Sequence, residues 1–532
     1  MTNQLKSFVV ITISVLLANC SATKISEKSK FITSDLIPLK NGKIKETELK
    51  RWSHLCLEKD TIPGMSVDRA SNELLKNKKS VKVIVAVIDS GIDVNHPDLQ
   101  SQIWTNSKEI PNNGVDDDKN GFIDDIHGWN FLGDINHENL ELTRIIKQKD
   151  DGSESYKKAM KKYEEEYNKA MNYKPQVDFY IASLTNMKEY LKKETFTLDD
   201  VKAIETTDEN VLKNKDMFSK ILSKTTLLEF TKEIDEFKDY VYGQLNYNLN
   251  KEFDARKLVG DNPNEWNNQQ YGNNNVVGPV AKDGKHGTHV SGIIAQTRTN
   301  ELGGDGVYNN IEIMCLRAVP DGDEYDKDIA KAIRYAVDNG AKVINGSFGK
   351  SFSPQSKWVF DALKYADAKD VVFVHAAGND SKDIDIEDNY PNDSEDKVKE
   401  ISNSFITIGA LNYEFGTNMV AGFSNFGKLN VDIFAPGVKI YATTPDNTYE
   451  YLEGTSMASP NAAGVVAMIR SYFPKLNAAE VKNILLESGI SINKDVKVGG
   501  VKGGKKPFSS LSKTGKIVNA YNAILLATEK SN

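Results

Sequence analysis

Short apolar runs, each followed by a turn or a helical pattern, set the strongest limit on how this chain folds. They stand at Val83–Ile88 (VIVAVI, then Asp89-Ser90-Gly91), Ile311–Val319 (IEIMCLRAV), Ala341–Asn345 (AKVIN) and Val371–Ala377 (VVFVHAA). An apolar run without polar alternation reads as a strand covered on both faces. Helical patterns lie between or after them, as at Ile329–Asn339 and Pro354–Ala368. Strand and helix in alternation predict an α/β fold, with a mostly parallel central sheet and helices on both faces. The ligand crevice of such a sheet lies beyond the carboxyl ends of its strands.

Three segments put a reactive side chain at a strand end or a helix start. Asp89 closes the first run. His286 stands in His286-Gly287-Thr288-His289-Val290-Ser291-Gly292, which opens an apolar helical stretch. Ser456 stands in Gly454-Thr455-Ser456-Met457-Ala458-Ser459-Pro460, again ahead of an apolar helix. Singly, each has a plain structural reading: a turn cap, a packed histidine, a helix-start serine. Jointly, in one α/β chain, they supply a nucleophile, a base and a carboxylate that orients the base.

The segments VIDSGID, HGTHVSG and GTSMASP, in the order Asp, His, Ser, resemble the motifs of the subtilase family of serine peptidases. The resemblance covers about 81–133 and 276–528. It implies a subtilisin-like fold and an endopeptidase acting on protein or peptide substrates. Ser456 is then the nucleophile, His286 the general base and acid, and Asp89 the residue that holds the imidazole tautomer. Ala376-Ala377-Gly378-Asn379-Asp380 is similar to the family's oxyanion segment, which gives Asn379 a donor role beside the Ser456 N–H. Ser347-Phe348-Gly349 is expected to bind substrate backbone as an added strand. His375 is expected to be a packed strand-end residue. The chemistry implied needs no cofactor. The same fold with its catalysis lost, serving as a binding module, and an esterase using the same serine are the rival readings.

Asp116, Asp118, Asn120 and Asp124 occupy positions 1, 3, 5 and 9 of a calcium-loop pattern, with Gly121 at the turn. Position 12 is His127 instead of a bidentate Glu. The loop is a candidate structural calcium site.

At the N-terminus, Lys6 precedes the apolar run Phe8–Leu17, too short to span a bilayer and suited to an export signal. The run ends in Leu17-Ala18-Asn19-Cys20, which resembles a bacterial lipoprotein signal. This predicts lipidation at Cys20, membrane attachment through that lipid, and an exported cell-envelope protein at the outer membrane or cell surface. The rest divides into a tether and N-terminal extension (21–60), a catalytic domain (61–133 plus 276–528) and a Lys/Glu-rich insertion (134–275). Helical spacing in the insertion, as at Tyr156, Met160, Tyr163, Tyr167 and Met171, predicts amphipathic helices, with a partly disordered charged loop as the alternative. Entry between the Asp and His segments predicts that the insertion gates or selects substrates. Lys497–Pro507, rich in Gly and Lys, is expected to be a mobile surface loop. Beyond Cys20 only Cys56 and Cys315 remain, for one disulfide or two free thiols. The net charge of −8 is spread along the chain, which excludes the basic stripe of a nucleic-acid binder.

Overall fold

A computed structural model describes residues 37–40, 42–267, 269–500 and 503–531. Cys20 and the apolar run before it lie outside the described residues. The strands are β1 (Val83–Asp89), β2 (Gly128–Asn130), β3 (Ile311–Arg317), β4 (Val343–Gly346), β5 (Val372–Ala376), β6 (Phe405–Leu411), β7 (Ile433–Pro436), β8 (Ile440–Thr444), β9 (Thr448–Leu452), β10 (Ile490–Ser491), β11 (Asp495–Lys497), β12 (Lys505–Pro507) and β13 (Lys516–Ile517).

Nine of them form one sheet in the order β10-β13-β7-β6-β5-β4-β1-β3-β2. Every pairing in it is parallel except β10 with β13. β1 shows why its residues suit this place. Val83, Val85 and Val87 enter one core, with the helices Lys285–Ala295 and Thr455–Tyr472. Ala86 and Ile88 enter a second core on the opposite face, with the helices Asp326–Asp338 and Ser356–Ala368. Alternate side chains of a strand point to opposite faces, so both must be apolar when both are covered.

The packed domain begins earlier than residue 61. Trp52, Leu57, Ile62, Met65 and Val67 are all buried in the first core. The Trp52 indole donates to the Val438 carbonyl at 3.0 Å. Of these apolar residues, Trp52 and Leu57 fall within 21–60, where two apolar residues five apart show no period that would mark them as core. Lys497–Pro507 also departs from the expected mobile loop: β11 and β12 pair as an antiparallel hairpin, with Val496 and Val498 buried beneath it. Cys56 and Cys315 are both buried free thiols. Among the described residues no helix is long and apolar enough to cross a membrane.

Between β2 and the Lys285–Ala295 helix the chain is largely helical. A long helix, Glu154–Leu191, packs against Leu227–Gly243. Met187, Phe196, Val201, Phe218, Phe230 and Ile234 form a separate small core there. The root of this region is tied to the sheet domain by buried ion pairs, Glu141 with Lys350 (2.8 Å) and Arg256 with Asp328 (2.8 Å), and by Arg144, which pairs with Glu141 and donates to the Asp323 and Glu324 carbonyls.

Candidate active site

Asp89 and Ser347 end up side by side. The β1–β4 register pairs Val85 with Val343 and Ile88 with Gly346, so the next residues, Asp89 and Ser347, lie level at adjacent carboxyl ends. Neighbouring strands are about 4.8 Å apart. The Asp89 carboxylate is buried, and its Oδ1 accepts from the Ser90 N–H at 2.8 Å and from His286 Nδ1 at 2.7 Å. Gly287 makes this approach possible: a Cβ there would lie 2.3 Å from the Gly91 carbonyl oxygen and 3.0 Å from Asp89 Cβ.

Burial acts to lower the His286 pKa, but the charge and hydrogen bond of Asp89 outweigh it and hold the pKa above its ordinary value. With its side chain 39% exposed, the ring still meets solvent. The second histidine of the segment behaves differently. His289 is buried, its Nε2 faces the carbonyls of Ile440 and Glu450 at 3.1 Å, and desolvation brings its pKa down to about 4. Of these two histidines, only His286 can exchange a proton near neutral pH.

Ser456 opens the Thr455–Tyr472 helix, and its hydroxyl donates to the Ser347 carbonyl at 3.2 Å. Ser347 in turn donates through Oγ to the Ser456 carbonyl at 2.9 Å. No hydrogen bond joins Ser456 to His286 among the described residues. Asn345 Nδ2 donates to Ser347 Oγ and Asn345 Oδ1 accepts from Ser459 Oγ, which locks the helix start to the end of β4.

Asn379 follows β5. Its Oδ1 accepts from the Thr455 N–H at 2.8 Å and the Thr455 hydroxyl at 2.9 Å, which fixes which way the amide faces. Nδ2 then points toward Gly454. A Cβ on Gly454 would sit 3.4 Å from Asn379 Nδ2 and 3.5 Å from the Ser456 nitrogen, and φ of 154° also favours glycine here. The space without a side chain at Gly454 is therefore a recess flanked by two N–H donors. His375 is buried with its pKa pushed down to about 4 by desolvation, so it is neutral and donates from Nε2 to the Phe348 carbonyl at 2.9 Å. This steadies the segment Ser347-Phe348-Gly349. Phe348 is buried, while the Gly349 N–H and C=O make no hydrogen bond among the described residues.

The acidic loop collects a different set from the one predicted. Asp116 and Asp118 converge with Glu109, with one ligand atom of each within 4.8 Å of the others. Asn120 Oδ1 accepts from Phe122 N–H, and the Asp124 carboxylate accepts from the N–H groups of Asn113 and Gly114. Glu109 precedes the twelve-residue window, so a linear pattern does not find it. Three carboxylates offer hard oxygens of the kind calcium prefers.

An α/β sheet with an Asp–His pair at one strand end, and a serine beside a two-donor recess at the next, has the layout of a serine hydrolase. The subtilase (peptidase S8) family model matches residues 80–508, and the chain belongs to that family. It is 36% identical over 234 residues to "Subtilisin-like protease 2" of Plasmodium falciparum, covering 42% of this chain and 16% of that protein. It is 39% identical over 188 residues to "Thermophilic serine proteinase" of Bacillus sp. (strain AK1), covering 35% of this chain and 42% of that protein. With "Subtilisin DY" of Bacillus licheniformis it shares 35% identity over 209 residues, covering 39% of this chain and 71% of that protein. The chain thus spans less than half the length of the first two relatives.

Proposed function

We propose that the protein is an exported serine endopeptidase that cuts peptide bonds with Asp89, His286, Ser456 and Asn379. The observation that carries this reading is the 2.7 Å pairing of Asp89 with His286 one strand away from Ser456, beside the recess at Gly454. The Nδ1–H donated to Asp89 leaves Nε2 as the basic nitrogen of the neutral ring. The reading requires the Ser456 hydroxyl to leave the Ser347 carbonyl, by rotation about χ1, for a hydrogen bond to Nε2. His286 removes the proton as the oxygen attacks the substrate carbonyl, and the imidazolium later protonates the leaving amine. The developing oxyanion is received by Asn379 Nδ2 and the Ser456 N–H, which need no reorganisation at that moment. The free Gly349 backbone groups support pairing with an extended substrate.

A fluorophosphonate probe tests the reading. The folded protein should be labelled at Ser456, Ser456→Ala should not, and the wild type should cleave both protein and simple ester substrates. Absent labelling favours the binding module; labelling with intact protein substrate favours the esterase.

We also place the protein in the cell envelope, tethered by lipid at Cys20. Incorporation of labelled palmitate that survives in Cys20→Ala would refute this. Calcium held by Glu109, Asp116 and Asp118 completes the proposal. It should raise the melting temperature, and a chelator should lower it; no response to either sinks the site.

A further inference from the structure

Beside the recess lies a cleft of about 290 Å³, with Phe348, Gly349, Asn379 and Ser456 in its wall. Lys162 and Glu166, from the first turns of the Glu154–Leu191 helix, complete that wall. Recess and cleft share Asn379 and Ser456. A substrate whose scissile carbonyl oxygen lies in the recess carries its own side chain on the adjoining Cα. That side chain therefore enters the cleft, which is large enough for any single residue.

The charged groups of the wall differ in how they are matched. Glu166 lies 3.6 Å from Lys169, and Asp380 lies 3.9 Å from Lys382. Asp323 accepts the Glu141 N–H at 2.7 Å, and Lys350 pairs with Glu141 and Asp326. Lys162 Nζ donates only to the Ser351 hydroxyl, at 2.8 Å, and makes no ion pair among the described residues. Burial lowers its pKa and Lys382 acts in the same direction, while Asp380, Asp323 and Glu166 act against them. These carboxylates make no ion pair with Lys162 among the described residues, so a half-desolvated ammonium still gains from a carboxylate in direct contact.

We propose that Lys162 is a specificity-determining residue, which receives the carboxylate of an Asp or Glu on the acyl side of the scissile bond. The proposal rests on the peptidase reading and assigns to the insertion a part of the substrate pocket. It also explains why Lys162 sits where the helix meets the cleft, while its sequence neighbours Lys157 and Lys158 pair with Glu154 and Asp388 elsewhere.

The test uses the full chain and peptides that differ only at that acyl-side residue: Glu, Gln, Leu and Lys. The wild type should prefer Glu over Gln by about tenfold in kcat/KM, the size of a charge-assisted contact. Lys162→Met should bring the ratio to about one, Lys162→Arg should keep part of it, and Lys162→Glu should favour the Lys peptide. Lys157→Met, on the same helix, should leave the ratio unchanged. Fluorophosphonate labelling of Ser456 reports that each variant is folded. A wild-type Glu/Gln ratio of one or less, with labelling intact, overturns the proposal alone. So does a ratio that Lys162→Met does not move. A wild type that neither labels nor cuts overturns this proposal together with the peptidase reading.

Discussion

Asn379 owes its orientation to one neighbour, because Thr455 supplies both donors to its Oδ1. Two variants separate the donor from its support. Asn379→Ala should lower kcat by about 10²–10³, the effect known for oxyanion donors in this family, with KM little changed. Thr455→Val should cost less, since the backbone N–H still holds the amide, and steady-state kinetics on one peptide reads both. An equal loss in the two would mean that Thr455 acts on something other than Asn379. A second expectation follows from His286. Its pKa is raised by Asp89, and catalysis needs the neutral ring, so kcat/KM should rise with pH through a midpoint above about 6.5. Asp89→Asn removes the charge that raises the pKa, so the midpoint should move down while kcat falls by about 10⁴. A midpoint that stays in place would detach Asp89 from the titration. These residues were legible in the sequence because their motifs are contiguous. Thr455, Asn345 and Ser459 were not, since their parts come from hydrogen bonds across 76 and 114 residues of chain.

Among the elements, β1, β3, β4 and β5 could be read directly, because burial on both faces leaves an unbroken apolar run. The β11–β12 hairpin was hidden by Gly and Lys at its turn, although Val496 and Val498 carry its buried face. The insertion's helices follow from their period, but their position does not. The long helix reaches the cleft at Lys162, and Lys232 on its partner helix lies 3.3 Å from Glu450, which also binds Lys285 beside His286 at 2.7 Å. The helix pair therefore touches the sheet domain on both sides of the site. Removing all of 138–270 would also remove Arg144 and Arg256 from the buried pairs at its root. Replacing only 183–232 with a short Gly/Ser linker keeps those pairs and Lys162, and takes away the outer core and the Lys232 contact. Cleavage of a folded protein should then rise several-fold relative to a short peptide. A parallel change in both rates would show that the helices do not restrict access.

For the molecule as a whole, buried titratable groups make stability depend on pH. Glu324 is pushed up to about 7, chiefly by burial, with Asp323 and Asp326 adding to it and Lys350 opposing. Its Oε1 is buried without a partner, as suits a protonated carboxyl. Asp393 is also pushed up to about 7 by burial, against Lys482 and Lys513 and with Asp432 and Glu400. Both groups bind a proton more tightly folded than unfolded. Their contribution is full below the unfolded values of about 4 and is lost as pH rises through about 7. Glu141 runs the other way. Burial opposes its charge, but Arg144 and Lys350 bring it down to about 2, so its contribution is present at neutral pH and lost in strong acid. Glu324 and Asp393 should therefore pull the melting temperature down between pH 5.5 and pH 8, while His289 and His375, held at about 4 in the fold, pull it up as the unfolded histidines lose their protons at about 6.5. Glu324→Gln and Asp393→Asn, which keep the neutral shape, should raise it more at pH 8 than at pH 5.5. Thermal melts of the wild type and the two variants across that range decide the matter: variants that shift both ends alike would exclude these carboxyls as a cause. On the proposed mechanism His286, its pKa raised by Asp89, must also lose a proton as pH rises. Glu324→Gln and Asp393→Asn should likewise lengthen the half-life at a fixed warm temperature more at pH 8 than at pH 5.5.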